Sequence, residues 1–315
     1  DWLWTSPITF VASSNCALYC GAQVDFVDID PRTFNLCPQE LEKKLIVAEK
    51  EGRLPKIVIP VHLAGQSCDM RAIHALAKKY NFKIIEDASH AIGGKYLEQY
   101  IGSCQYSDIT VFSFHPVKII TTGEGGMTVT NDESLAAKMR LFRSHGVTKE
   151  SSEMTKVPDG PWYYEQIDLG FNYRMTDIQA ALGLSQLSRL DQYVQKRNEL
   201  ALLYRERFKD SSLIFQKDQK NTYSAFHLFI MQAQDSADGL IRNNIYKGCL
   251  DKGLGVNLHY IPIYRHPFHS KKQNFNKDAF VASEKYYRCA LTIPLYPNLS
   301  QEDLHYIVKT IKDII

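Results

Sequence analysis

The run Ser113-Phe114-His115-Pro116-Val117-Lys118, continued by Thr121-Thr122-Gly123-Glu124-Gly125-Gly126, sets one lysine in a glycine-rich turn behind the apolar residues 109–112. A lysine so placed is poorly explained as solvated surface charge. A primary amine there can condense with an aldehyde cofactor such as pyridoxal phosphate, provided that its surroundings let it lose a proton. That chemistry asks for more groups: a carboxylate for the cofactor's ring nitrogen, donors for its phosphate, and a flat surface against the ring.

Asp87 closes the run Lys-Ile-Ile-Glu-Asp, at the carboxyl end of a predicted strand, where ligand-facing groups of α/β sheets collect. An anion beside a pyridine nitrogen keeps that nitrogen protonated; a helix cap after the strand is the competing reading. His90 follows shortly after, placed either to meet the ring's phenolic oxygen or to serve as a bonded core histidine. Ser113 suits donation to a phosphate oxygen, as it also suits an ordinary turn. Gly123, Gly125 and Gly126 let the backbone turn sharply and approach a ligand. Phe10, after the turn at Pro7, offers a face for stacking or a core side chain. In Gly170-Phe171-Asn172-Tyr173-Arg174-Met175, Asn172 can donate to phosphate or cap a helix, and Arg174 can bind an anion through both arms of its fork. Each signal is weak alone. Their order and spacing make the combination specific.

The elements that must position these groups alternate in the manner of a sheet covered by helices. Strands are predicted over 24–27, 56–61, 83–86, 109–112 and 127–130, and helices over 38–51, 69–80 and onward from Asn131 and Asp132. A long helix is predicted over 176–208, with a break near Gly183 or Asp191, and 151–161 reads as an exposed loop. Beyond residue 212 the character changes, with strands predicted over 225–231 and 255–260 and helices over 240–252 and 301–315, the last capped by Ser300. This divides the chain into a large α/β domain over 1–210, including the long helix, and a small α+β domain over 211–315.

The 315 residues, 44% hydrophobic, suffice for a large core. A net charge of +2, spread along the chain, gives no nucleic-acid stripe, and the apolar runs are strand-sized, so neither nucleic acid nor a membrane is an expected partner. Seven cysteines in no framework spacing point to a reducing cytoplasm and to no metal site.

The stretches 86–94, 113–118 with Gly-Glu-Gly-Gly behind it, 130–132 and 170–187 resemble the DegT/DnrJ/StrS sugar aminotransferases. The resemblance spans essentially the whole chain, including 256–267 and 291–300. It implies the aspartate-aminotransferase-like fold type I of pyridoxal-phosphate enzymes, with a mostly parallel sheet. By the same resemblance Lys118 is the Schiff-base lysine, Asp87 the partner of the ring nitrogen, and His90 the neighbour of the ring oxygen. Ser113 then binds phosphate and Phe10 stacks on the ring. Asn172 reaches the phosphate of a neighbouring subunit, which implies a homodimer with shared active sites. His259, Tyr260 and Tyr264 fall near the nucleotide-sugar site, with Arg174 as a further substrate ligand.

Within the group the chain is most similar to the branch that makes pseudaminic acid for surface glycans. The implied reaction moves an amino group from L-glutamate to the 4-keto group of a UDP-linked 4-keto-6-deoxy-N-acetylhexosamine. Alternatives are an aminotransferase for another nucleotide keto sugar and a pyridoxal-phosphate-holding regulator; the related sugar dehydratases carry His in place of the lysine. Members of the group begin with a phosphate-binding loop resembling Ser-Gly-Thr-Ser-Ala. This chain starts at Asp1, within the segment that follows that loop, so no phosphate donor beyond Ser113 and Asn172 can be named from it.

Overall fold

The computed structural model describes every residue except 237 and 274. Runs of β-branched and aromatic residues form the strands of its main sheet. β1 (Trp2–Thr5), β2 (Gln23–Phe26), β3 (Ile57–Ile59) and β4 (Lys83–Asp87) are parallel, with β1 between β2 and β3, and β4 beside β3. The chain next makes a small hairpin of β5 (Lys95–Tyr96) and β6 (Gln99–Tyr100), then re-enters the sheet as β7 (Ile109–Ser113), parallel to β4. β8 (Gly126–Val129) returns antiparallel to β7, giving the order β2-β1-β3-β4-β7-β8. The mostly parallel sheet is the one that the family resemblance implies.

Helices follow from spacing and caps. α1 (Ala12–Tyr19) buries Ser13, Ser14 and Ala17. α2 (Pro38–Lys50) and α3 (Met70–Tyr80) pack in one core with Trp4, Val58 and Ile84 of the sheet. Asp69 caps α3 by accepting the Ala72 N–H, and Asn81 ends it in the left-handed region. α4 (Glu133–Arg143) starts at Asp132, whose carboxylate accepts the Ser134 and Leu135 N–H groups. A short antiparallel pair, β9 (Val147–Thr148) and β10 (Glu165–Gln166), follows.

The predicted long helix is two helices, α5 (Asp177–Leu187) and α6 (Leu190–Arg207). Gly183 lies inside α5 and does not break it. Its role is close approach, since a Cβ there would come within 2.7 Å of Thr122 Cγ2.

In the C-terminal part, β11 (Ile214–Phe215) is followed by β12 (Thr222–Tyr223), which pairs back onto β5. β13 (Phe229–Gln232) lies between β11 and β14 (Ala290–Ile293) in an antiparallel sheet. Its core takes residues from α7 (Leu240–Asp251), α10 (Gln301–Lys312) and the end of α6. The short α8 (Pro267–Lys272) and α9 (Val281–Cys289) complete the chain. Arg197 of α6 is buried and donates through Nη1 to the carbonyls of Phe226 (3.1 Å), His227 (3.2 Å) and Leu295 (2.8 Å).

Both strands predicted for this part need correction. The strand predicted over 225–231 begins only at Phe229, because Phe226 takes φ +43° and gives its N–H to Ser224 Oγ. No continuous strand forms over 255–260; Asn257 makes a single bridge to Thr292, and its side chain takes the Leu258 N–H.

Candidate active site

The end of β4 is fixed by its backbone. The Asp87 N–H donates to Pro60 O (2.9 Å) and its carbonyl accepts the His62 N–H (3.0 Å). Neighbouring strand residues face opposite ways, so Glu86 enters the interior while Asp87 stays half-buried. The Cys68 amide donates to His62 Nδ1 (3.1 Å), which leaves the ring proton on Nε2 for Glu86, 2.7 Å away. Burial would lift the Glu86 carboxyl, but the His62 ring and the hydroxyls of Ser107 and Thr110 outweigh it and hold the group below the usual carboxylate range.

Lys118 lies in the loop that joins β7 to β8. Ladder-like bonds close this loop, from Phe114 N–H to Gly125 O (2.9 Å) and from Thr122 N–H to Phe114 O (3.0 Å). The Lys118 side chain is largely withdrawn from water. Burial pulls its ammonium below the ordinary lysine range, while the Asp87 charge acts in the opposite sense. Burial and the Lys118 charge push His259 down to about 4. Burial likewise holds His90 and His227 well below the ordinary histidine range, with Lys118 among the charges acting on both. The Tyr260 hydroxyl is raised by burial and then by Asp87.

Direct contacts tie His90, His227 and Tyr260 together. The Ala64 N–H donates to His90 Nδ1 (3.3 Å), so the proton on Nε2 goes to the Tyr260 oxygen, 3.1 Å away. The His90 and His227 rings lie 4.5 Å apart. Among the described residues, His227 Nδ1 is buried without a partner. The result is an amine whose charged form burial disfavours, within the field of a carboxylate and among uncharged imidazoles. Such a donor set suits a planar aldehyde carrying a basic ring nitrogen.

Phe10 stands at the rim, 60% exposed, with its ring 6.2 Å from that of Tyr260. Ser113 ends β7, half-buried, with Oγ accepting the His115 N–H (3.4 Å). Asn172 and Arg174 are exposed, and among the described residues neither side chain hydrogen-bonds to the cluster. Their segment still touches the lysine loop, since a Cβ on Gly125 would sit 2.9 Å from Met175 Cε.

Tyr264 is not in the cluster. It is 1% exposed, stacks on Phe280, and gives its hydroxyl to Glu284 (2.8 Å), because the chain after Pro262 turns into the core beneath β1 and β2. Sequence spacing does not single out Ser13, Thr9 or His227. The sequence offers only a set of nearby hydroxyl residues, Thr9, Ser13 and Ser14; their place around the start of α1 is a finding of the structure.

Residues 1–312 match the model of the DegT/DnrJ/EryC1/StrS aminotransferase family. The whole chain is 37% identical to the spore coat polysaccharide biosynthesis protein SpsC of Bacillus subtilis, covering 79% of it. Over 99% of its length it is 34% identical to the UDP-4-amino-4,6-dideoxy-N-acetyl-beta-L-altrosamine transaminase of Campylobacter jejuni, covering 78% of that protein. Among solved structures, Helicobacter pylori PseC, an aminotransferase involved in the biosynthesis of pseudoaminic acid, superposes with a TM-score of 0.89 at 31% identity, over 100% of this chain and 79% of that one.

Proposed function

The chain belongs to the DegT/DnrJ/EryC1/StrS aminotransferase family, and from that premise we propose that it is a pyridoxal-phosphate enzyme acting on a nucleotide sugar. It takes an amino group from L-glutamate and delivers it to the 4-keto carbon of a UDP-linked 4-keto-6-deoxy-N-acetylhexosamine. The product is a 4-amino sugar for pseudaminic acid or a related surface glycan. The observation that carries this reading is the half-buried Lys118 amine within the field of Asp87 at the end of β4.

When bound, pyridoxal phosphate supplies the aldehyde carbon that takes up the amino group and a ring that holds the electron pair released at the donor's α-carbon. Lys118 would hold the aldehyde; once free, its Nζ would carry the proton from the donor's α-carbon to the cofactor's carbon. In the second half of the reaction the same Nζ would carry a proton from that carbon to C4 of the sugar. Burial of Lys118 favours the neutral amine that the first of these steps needs. Asp87 would keep the ring nitrogen protonated, with His90 beside the ring oxygen. Ser113 would hold the phosphate and Phe10 would cover the ring. His259 and Tyr260 face the sugar, and Arg174 takes an anionic group of the substrate.

Asn172 serves the phosphate of a second copy, so the enzyme works as a homodimer with shared sites. The exposed apolar residues of α5 support this arrangement, among them Ile178 at 85% and Leu184 at 69%. The cytoplasm is the proposed setting. Among the described residues no helix is long and apolar enough to cross a membrane, and all seven cysteines are free.

The test incubates the full-length protein, pyridoxal phosphate and glutamate with a panel of UDP- and dTDP-linked keto sugars, and reads product stereochemistry by NMR. A 4-amino product from the UDP-linked sugar is expected, together with a loss of at least about a thousandfold in Lys118→Ala. Full turnover by Lys118→Ala overturns the reading. The comparable identity to the spore coat protein keeps other nucleotide keto sugars as the second reading, and the panel decides between them.

A further inference from the structure

α1 is a short helix whose buried face is made of hydroxyls. Ser13 is 5% exposed and Ser14 is fully buried. Burying a hydroxyl costs stability unless it is bonded, and alanine is the better helix former at such a position. Ser13 therefore needs a reason, and its contact supplies one. Its Oγ donates to Asp87 Oδ2 at 2.6 Å, the short distance of a charge-assisted bond, across 74 residues of sequence.

The direction of the network follows from proton counting. Ser13 has one hydroxyl proton and gives it to the carboxylate, which can only accept. Thr9 Oγ1, 3.0 Å from Ser13 Oγ and 2% exposed, must then be the donor in that contact. The result is a one-way chain from Thr9 to Ser13 to Asp87, in which each bond strengthens the next. The other carboxylate oxygen, Oδ1, accepts the Ser89 N–H at 3.1 Å. Donors on both oxygens, from different elements, stop the carboxylate from rotating about its last bond. Each oxygen keeps a lone pair for a further donor. Phe10 lies between Thr9 and Ser13, so one segment sets both the carboxylate and the proposed stacking aromatic.

We propose that Ser13, backed by Thr9, is a positioning residue that fixes the plane in which Asp87 meets the cofactor's ring nitrogen. This rests on the pyridoxal-phosphate reading above. The bound ring would feel the loss of Ser13 through the protonation of its nitrogen, more than through the affinity for either substrate.

The experiment compares the full-length, cofactor-loaded enzyme with its Ser13→Ala, Ser13→Thr and Thr9→Val variants. The readouts are the pH titration of the visible absorbance band of the bound cofactor, kcat and KM for glutamate, and the melting temperature. For Ser13→Ala, kcat is expected to fall roughly ten- to a hundredfold while KM changes less than about twofold, and the titration midpoint to shift by about half a pH unit or more. Ser13→Thr, which keeps the hydroxyl, restores both. Thr9→Val, which keeps the shape, moves both in the same direction by less. A parental titration curve in both Ser13→Ala and Thr9→Val overturns the proposal, as does a loss of kcat that tracks only a lowered melting temperature. Absence of any visible band in the unaltered enzyme overturns the cofactor reading and this proposal with it. A band that ignores Ser13 overturns this proposal alone.

Discussion

α3 and α5 are both 11 residues long and both carry isoleucine and leucine, yet their fates are opposite. α3 buries Met70, Ile73, Leu76, Ala77 and Tyr80 against its own sheet, whereas among the described residues α5 buries none. Ahead of α5, Phe171 and Tyr173 are also exposed and stack on each other with centroids 4.8 Å apart. α3 keeps Arg71, Lys78 and Lys79 for its free face, whereas α5 carries one charge, Asp177, yet it is the more apolar helix that finds no partner within the described chain. The floor of the proposed site, around Asp87, is braced by its own subunit. The flank carrying Asn172 and Arg174 lies on a face whose apolar side chains call for another surface, and the proposed second copy supplies it.

The largest test of this contrast is complementation. Lys118→Ala and Asn172→Ala are each expected to lower activity sharply as homodimers. If Asn172 serves the neighbour's site, a mixed dimer has one wholly intact site, and a randomised mixture regains about a quarter of parental activity. No regain after subunit exchange places Asn172 in its own subunit's site instead.

Next in size is the core of α3. Ile73→Ala removes a fully buried side chain and is expected to cost about 2–4 kcal/mol of unfolding free energy by denaturant titration. Leu184→Ser on α5 is expected to change the free energy of a dissociated subunit by less than about 0.5 kcal/mol. It is expected to shift the sedimentation profile toward monomer. A large loss in the subunit itself would remove the contrast between the helices.

The smallest effect concerns Lys118. Its pKa is depressed in the folded chain, so between the folded and unfolded values the unfolded chain binds more protons at this site. The resulting penalty is complete below the folded value and gone above the unfolded value of about 10.4. Cofactor-free Lys118→Met is therefore expected to melt higher than the parent at neutral pH, with the gap closing as the pH approaches 10.4. A gap that does not depend on pH would trace the gain to packing.

What was legible in the sequence follows a physical divide. β4, α3 and α10 announce themselves because their apolar residues recur at strand or helix period and their ends carry caps. The lysine loop and Asp87 stand out because glycines and a strand end are local signals. α1 does not, because its buried face is serine and alanine, which no hydrophobic pattern detects. The bond from Ser13 to Asp87 joins residues far apart in the chain, and no short-range spacing reports it. Tyr264 shares a motif-like stretch with His259 and Tyr260, yet the turn after Pro262 carries it into the core.

Arg197 carries a consequence for how the chain folds. Its guanidinium is buried and bonded to the carbonyls of Phe226, His227 and Leu295, the last 98 residues away. A guanidinium withdrawn from water before those carbonyls arrive bears its desolvation cost unrelieved. The middle of α6, the approach to β13 and the exit from β14 must therefore come together at nearly the same moment. Such a long-range closure is slow to form and late, so it belongs to the final step of assembly. Removing it is expected to speed unfolding far more than it slows folding.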